Sequence, residues 1–147
     1  MFVVIFIAGL AVNFAWEMTH SVLFAPMGEW VCGMWRCFVA SLGDGLIVLT
    51  IAGAGWLIFR RADWFVRPGL DGYMVMAALG MAIAVLIERW ALATGRWAYT
   101  GRMLVIPVVQ VGLVPVLQMV IVPPFVFWLA VQWSEGTHGK EVPRKTE

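Results

Sequence analysis

Four long apolar runs constrain this chain more than any other feature of its sequence. They extend from Phe2 to Phe24, from Cys37 to Phe59, from Gly72 to Ala93 and from Gly112 to Trp133. Each is long enough to cross the hydrocarbon core of a bilayer as a helix, which needs about 20 residues. Lipid offers no partners to backbone polar groups, so such spans must be helical. The sequence therefore predicts an all-α membrane protein, a four-helix bundle over residues 1–133 with both termini on the same side.

The composition excludes a water-soluble globule and gives no support for a nucleic-acid partner. Hydrophobic residues make up 62% of the chain and charged residues 13%, against about 25% charged in soluble domains. The net charge is +1, and no basic run could follow a phosphate backbone. The first apolar run has polar residues inside it and no Lys or Arg before it, so we interpret it as a retained helix and not a signal peptide. The polar tail, 134–147, is predicted to be disordered.

The last apolar stretch is too long for one straight span. From Met103 to Trp133 it would form a helix about 45 Å long. Four prolines are predicted to interrupt it: Pro107, Pro115, Pro123 and Pro124. We expect residues 103–111 to form an irregular or re-entrant lead-in, which lipid tolerates only where it is buried in protein or lines a cavity.

The distribution of Lys and Arg indicates the orientation. The second loop, residues 60–70, and the tail carry six of the ten basic residues, while the first and third loops with Arg89 carry four. The positive-inside rule then favours cytoplasmic termini.

Polar residues lie within the first apolar run, at helical spacing. Asn13, Glu17 and His20 occupy positions i, i+4 and i+7 and so share one stripe of a helix. A charged residue in a membrane helix costs about 2.5–3.5 kcal/mol on insertion scales. This stripe must therefore face something polar.

Each of the other three helices also carries a polar residue near the same end of the bundle. Glu17, Asp44, Glu88 and Gln118 all fall within a few turns of the first and third loops, at depths of about 7–11 Å for a rise of 1.5 Å per residue. The four side chains are therefore predicted to meet in one layer.

Three carboxylates in one apolar layer cannot all be ionised, because burial and mutual repulsion both oppose it. We expect at least one to hold its proton near neutral pH while a neighbour stays ionised, paired with Arg89 or Arg96. That places a general acid beside a general base. The alternative is structural, since buried carboxylates and amides also tie helices together in lipid.

The candidate catalytic residues are accordingly Glu17, Asp44 and Glu88. Polar and aromatic side chains near the same layer are the candidate ligand-binding residues: Asn13, Trp16, His20, Arg96, Trp97, Tyr99, Gln110 and Gln118. The rings of Trp16, Trp97 and Tyr99 are expected to stabilise cationic character.

Cys32 and Cys37 leave two alternatives open: a disulfide, if the first loop faces an oxidising compartment, or a soft-metal site with His20. Two Cys and one His are too few for a convincing zinc or copper centre. We expect neither a metal nor a cofactor.

Two resemblances accompany these residues. The pattern Asn-x-x-Trp-Glu, Gly-Asp, Glu, Gly-Arg-Trp-Ala-Tyr and a final helix with Pro and Gln resembles a group of small four-helix bacterial membrane proteins of no assigned function. It covers nearly the whole chain and implies the inner, cytoplasmic membrane of a bacterium. The run Asn13-Phe14-Ala15-Trp16-Glu17 is similar to the Trp-Glu helix of the integral-membrane terpene cyclases of fungal meroterpenoid pathways, over about 20 residues.

In those cyclases, membrane carboxylates protonate an epoxide or an olefin, and aromatic rings face the resulting cation. The resemblance implies that Glu17 is a proton donor and that Asp44 or Glu88 is its partner.

The functional prediction is a membrane enzyme that performs acid/base chemistry, such as isomerisation, cyclisation or hydration, on a membrane lipid or an isoprenoid-like hydrophobic molecule. One alternative is a proton-coupled transporter acting as a homo-oligomer, since intramembrane carboxylates and a proline-broken helix also mark ion paths. Another is an accessory subunit of a larger membrane complex.

Overall fold

Four helices dominate the structure, a computed structural model that describes residues 1–24 and 30–138, with the side chains of 30–32 and 137–138 left out. The elements in chain order are α1 (Phe2–His20), a 3-10 turn (Ser21–Leu23), α2 (Trp30–Phe59), α3 (Gly69–Ala93), β1 (Val105–Ile106), β2 (Val111–Gly112) and α4 (Leu113–His138). All four helices are long and apolar enough to cross a membrane. The predicted all-α four-helix bundle is confirmed.

The helices pack as a ring in which α1 lies between α2 and α4, and α3 contacts α4 more extensively than it contacts α2. The main core lies toward the second loop and contains Ile5, Val48 and Val126, with Trp64 inserted from that loop. The N–H of a buried indole usually has a hydrogen-bond partner, and Trp64 donates to the carbonyl of Ala52 at 3.0 Å. This end of the bundle is therefore closed by an apolar plug.

Several predicted helix boundaries differ from the structure, and α1 ends at His20, before the predicted end at Phe24. Helix α2 begins at Trp30, before the predicted start at Cys37, and α3 begins at Gly69, directly after Pro68, where a proline costs no hydrogen bond. Helix α4 continues to His138, so the start of the tail predicted to be disordered is helical. Hydropathy marks where a helix leaves the apolar layer, not where it ends. The remainder of the tail, 139–147, lies outside the described residues, as do 25–29 of the first loop.

The lead-in to α4 is non-helical, as predicted, and it forms a short antiparallel hairpin that the sequence did not reveal. Strands β1 and β2 pair Val105 with Gly112, and the Leu113 N–H donates to the carbonyl of Leu104 at 2.7 Å. Val111 is fully buried, against Ala84 of α3 and its neighbours. The rest of the hairpin is mostly exposed, with Leu104 68% and Val108 91% exposed, so the expectation that the irregular lead-in is buried in protein holds only for its ends, Met103 and Val111.

The prediction that prolines interrupt the last helix is wrong for three of the four, because α4 is continuous from Leu113 to His138. Pro115 lies in its first turn, where a missing N–H removes no helical bond. Pro123 and Pro124 lie inside the helix, so the carbonyls of Met119 and Val120 lose their usual donors four residues later. The packing of α4 against α1 and α3 holds the helix together at this point.

The freed carbonyl of Met119 lies against Gly80 of α3. A β-carbon at Gly80 of α3 would overlap this oxygen, so only glycine fits there. Small residues that let backbones meet are a general device of membrane helix packing. Gly80 on α3 and Pro123 on α4 thus contribute to the same interhelical contact. Gly80 has no β-carbon to block it, and Pro123 has no N–H to bond the carbonyl of Met119.

We predict that Gly80→Ala destabilises the bundle, by about 1–3 kcal/mol for an overpacked core site, although alanine favours a helix over glycine by about 0.5–1 kcal/mol. The matched control is Gly53→Ala on α2, where a β-carbon would meet nothing within 4 Å. Thermal unfolding in detergent should place Gly80→Ala below wild type and Gly53→Ala at or above it. Equal midpoints for the two variants would contradict the close contact.

Candidate functional site

A cavity of about 750 Å³ lies between the helices at the end nearest the first and third loops. This volume is within the range of about 300–1,000 Å³ of small-molecule sites. The lining residues that α1 and its 3-10 turn, α2, α3, the third loop and α4 contribute include Glu17, His20, Phe24, Trp35, Arg36, Cys37, Asp44, Glu88, Trp90, Arg96, Trp97 and Gln118. All three candidate catalytic carboxylates therefore reach one cavity.

The amide of Gln118 is the centre of the polar layer. Its Nε2 lies 2.9 Å from Oδ1 of Asn13, 3.0 Å from Oδ2 of Asp44 and 3.3 Å from Oε1 of Glu17. Gln118 and Asn13 are buried, whereas Glu17 and Asp44 are partly buried. One side chain of α4 thereby joins α1 and α2, and the predicted meeting of Glu17, Asp44 and Gln118 is confirmed.

The hydrogen bonds around Gln118 lack one hydrogen. An amide nitrogen carries two hydrogens, whereas three oxygens face it. Asn13 cannot turn its own nitrogen toward the group, because its Nδ2 donates to the carbonyl of Gly9 at 2.8 Å. A proton on Glu17 or Asp44, or a donor from a ligand, supplies the missing hydrogen.

His20 has a defined tautomer because of its neighbours. Its Nδ1 lies 2.8 Å from the carbonyl of Trp16, which can only accept, so Nδ1 carries the hydrogen. In the neutral ring the lone pair is then on Nε2, and this atom lies 3.8 Å from Oε1 of Glu17. The pair is placed to exchange a proton after a small movement.

Glu88 has a different environment from the other two carboxylates. It is 6% exposed and accepts hydrogen bonds from the hydroxyl of Tyr99 and from Nε1 of Trp97, the latter at 3.3 Å. The Tyr99 oxygen in turn accepts the N–H of Gly112 at 2.8 Å. Glu88 is thus held as an acceptor by the third loop and the hairpin.

Tyr99 remains a donor at physiological pH. Burial, and then its hydrogen bond to Glu88, hold the pKa of the Tyr99 phenol well above its usual range. The sequence placed Tyr99 among the ring-face contacts of a ligand. In the structure its hydroxyl instead positions Glu88.

Two other predicted ligand-binding residues lie away from the cavity. Gln110 is exposed in the hairpin turn, where its φ of 54° places it in the left-handed region. Trp16 packs against the main core, and its buried Nε1 has no acceptor among the described residues. Asn13 acts through Gln118, whereas His20, Arg96, Trp97 and Gln118 line the cavity as expected.

The predicted pairing of a carboxylate with Arg89 or Arg96 is not found among the residues described. Arg89 is exposed and donates to the carbonyl of Val109 at 3.4 Å. The guanidinium of Arg96 lies 5.5 Å from the centre of the Trp90 ring. An ionised carboxylate here is stabilised by amide, indole and phenol hydrogens.

Trp35, Arg36 and Cys37 line the cavity but were missed as site residues, since hydropathy assigned the first two to a loop. The signal that could have found them is helical spacing, because Arg36 lies about two turns before Asp44 on α2. Cys37 is a free thiol, and the side chain of Cys32 lies outside the description. Within the described part of the chain, no three His, Cys, Asp or Glu residues are arranged to hold a metal ion.

Comparison with protein-family models, with curated proteins and with solved structures finds no match to this chain.

We predict that Tyr99 ionises only above the range in which free tyrosine does, near pH 10. Because its pKa is higher in the folded state, the resulting stability is fully present below pH 10 and is lost as the pH rises beyond it. Tyrosinate absorbance of wild type, Tyr99→Phe and the exposed-site control Tyr73→Phe would separate the two phenols. A Tyr99 signal that titrates near pH 10 would contradict the buried contact with Glu88.

We predict that Glu17 and Asp44 sense each other through Gln118. Replacing Glu17 by Gln should shift the infrared band of a protonated Asp44 carboxyl, whereas Asp71→Asn, at an exposed site at the start of α3, should leave it unchanged. Measurements over pH 5–9 on Glu17→Gln, Asp44→Asn and Glu88→Gln test this. Three bands that each vanish with one substitution and leave the others unmoved would show that the sites are independent.

Proposed function

We propose that the protein is an integral membrane enzyme that performs acid/base chemistry on a lipid or isoprenoid-like molecule. One observation carries the proposal: carboxylates from three helices reach the same cavity, and their hydrogen-bond environments differ. Carboxyl groups with different environments are how proteins obtain an acid and a base from one residue type. We also propose a location in the inner membrane of a bacterium with cytoplasmic termini, supported by the four spans and the distribution of Lys and Arg.

The remainder of the cavity wall suits an apolar ligand. Apart from the polar layer, Ser21, Cys37 and two arginines, it is formed by apolar side chains, including Ile47, Ile87 and Met119. Phe24, Trp90 and Trp97 also line it, and the faces of such rings attract cationic centres. An apolar ligand that acquires positive charge during a reaction fits this wall.

The proposed reaction begins with Glu17 as the acid. Glu17 gives its proton to a double bond or an epoxide oxygen, and a carbocation forms at the neighbouring carbon. Glu88, held as an acceptor by Tyr99 and Trp97, is placed as the base. It removes a proton from the carbon adjacent to the cation, so that isomerisation or cyclisation is neutral in mass.

His20 restores the acid in this scheme. The proton that Glu88 takes from the ligand passes across the cavity to the lone pair on Nε2 of His20, and the imidazolium so formed gives it to the carboxylate of Glu17, which Nε2 faces. The ring then returns to the neutral tautomer with its hydrogen on Nδ1, bonded to the carbonyl of Trp16. If water captures the cation instead, the product is one water heavier and the proton released from that water returns to the carboxylates.

The alternatives from the sequence account for less of this geometry. An accessory subunit needs polar contacts between helices, which Gln118 already supplies, and leaves the cavity without a role. The carrier hypothesis used a proline-broken helix, whereas α4 is continuous. A pH-gradient-dependent flux in proteoliposomes would nevertheless favour the carrier.

We predict that lipid extracts from cells with and without the gene differ by a species of altered structure, either unchanged in mass or one water heavier. Glu17→Gln and Glu88→Gln should reduce its formation by about 10²–10⁴-fold, the usual contribution of a positioned acid or base. Asp71→Asn, outside the cavity, should retain full activity.

The outcome is read by mass spectrometry with chromatographic separation of isomers, and each variant is first checked for folding in detergent. If the lipid profiles match while Glu17→Gln still changes the phenotype of the cells, chemistry on lipids is the wrong class of function.

A further inference from the structure

Two arginines line the same cavity, and the proposed chemistry uses neither. Arg36 belongs to the first turns of α2, and Arg96 follows the end of α3. Both side chains are exposed, and both residues lie on the side of the bundle that carries the first and third loops. The cavity thus has two guanidinium groups at its end nearest the first and third loops.

These guanidinium groups have no carboxylate partner within the part of the chain that the structure describes. The ion pairs found there are His20 with Glu17 and Arg61 with Asp63. Arg96 lies over the Trp90 ring, which leaves the N–H bonds at the edge of its guanidinium plane available. An arginine carries five such donors in a planar fork that matches phosphate and carboxylate oxygens.

Depth separates these positive charges from the acids. Asp44 lies eight residues after Arg36 on the same helix, which is about 12 Å along the axis. Glu88 lies in the last turns of α3, and Arg96 follows the end of that helix, where its N–H donates to the carbonyl of Ala91 at 2.9 Å. The cavity therefore has a cationic mouth, an apolar and aromatic wall, and a carboxylate layer in which Asp44 lies about 12 Å deeper than Arg36 along the axis of α2.

We propose that the ligand of this cavity is an amphiphile with a phosphorylated head, which Arg36 and Arg96 bind at the mouth while its hydrocarbon chain extends to the carboxylates. This inference rests on the proposed function and names its substrate class. Two guanidinium groups from different elements suit a dianionic head, which can accept hydrogen bonds from both.

The separation also determines where on the chain the reaction occurs. A double bond directly beside a phosphate bound at Arg36 would remain at the mouth, about 12 Å along α2 from Asp44. The reacting double bond or epoxide must therefore lie well along the hydrocarbon chain, with the head serving only to position it. The phosphate is expected to be unchanged in the product.

The test compares farnesyl phosphate with farnesol, which share a chain and differ in the head, by calorimetric titration of the full-length protein in a non-ionic detergent. Wild type should bind the phosphate at least about tenfold more tightly, a difference of about 1.4 kcal/mol. Arg36→Gln and Arg96→Gln should each reduce the affinity for farnesyl phosphate by about tenfold and leave farnesol binding unchanged.

The matched control is Arg102→Gln, in the same loop as Arg96 but not among the residues that line the cavity, and it should bind both probes as wild type does. Equal affinities of wild type for the two probes, or an equal loss in Arg102→Gln, would overturn the proposal. Inorganic phosphate should not displace farnesyl phosphate at equal concentration, and complete displacement would overturn the assignment to a lipid head.

Two further measurements keep the test decisive. If either Gln variant fails to fold, added salt on wild type replaces it and should weaken farnesyl phosphate binding but not farnesol binding, since salt screens exposed charges. Equal weakening counts against the inference. Glu17→Gln should still bind farnesyl phosphate more tightly than farnesol while losing turnover. An active protein that binds the two probes equally would contradict only the phosphorylated head group. A protein that prefers farnesyl phosphate but changes no lipid would contradict only the proposed enzymatic function.

Discussion

The hydrogen bonds of Gln118 are the interaction on which the rest of the structure depends. Polar side chains within a membrane helix are costly unless they find partners inside the protein. Gln118 on α4 offers partners to Asn13 and Glu17 of α1 and to Asp44 of α2 at once. It thereby determines which faces of three helices point inward, and where the cavity can form.

The carboxylates of this layer have different hydrogen-bond donors, because different elements of the fold supply those donors. Glu17 and Asp44 share the side-chain amide of Gln118 on α4. This amide nitrogen has fewer hydrogens than there are oxygen atoms around it. Glu88 receives its hydrogen bonds from Tyr99 and Trp97 of the third loop, and the hairpin N–H of Gly112 holds Tyr99 in turn. A carboxylate with dedicated donors and a pair that lacks one hydrogen are chemically different, although all three side chains lie in one cavity.

The two ends of the bundle have different roles. Toward the second loop the helices close around Trp64 and Phe127, and this packing is apolar. At the other end, the 3-10 turn after α1 and the third loop hold each other through the N–H of Thr100, which donates to the carbonyl of Leu23 at 2.9 Å. The closed end stabilises the helices, so the open end can keep a cavity between them.

The sequence by itself determined the number of spans and the depth of each polar residue. Both follow from local quantities, the hydropathy of a run and a constant rise per residue, so Glu17, Asp44, Glu88 and Gln118 could be assigned to one layer without a structure. The tertiary structure decided which of them bond, that Trp16 and Gln110 lie away from the cavity, and that Arg36 lines it. These outcomes depend on the rotation of each helix and on contacts between distant residues, such as the carbonyl that Pro123 frees against Gly80. The residues that make such contacts lie far apart in the chain, so no local sequence pattern predicts them.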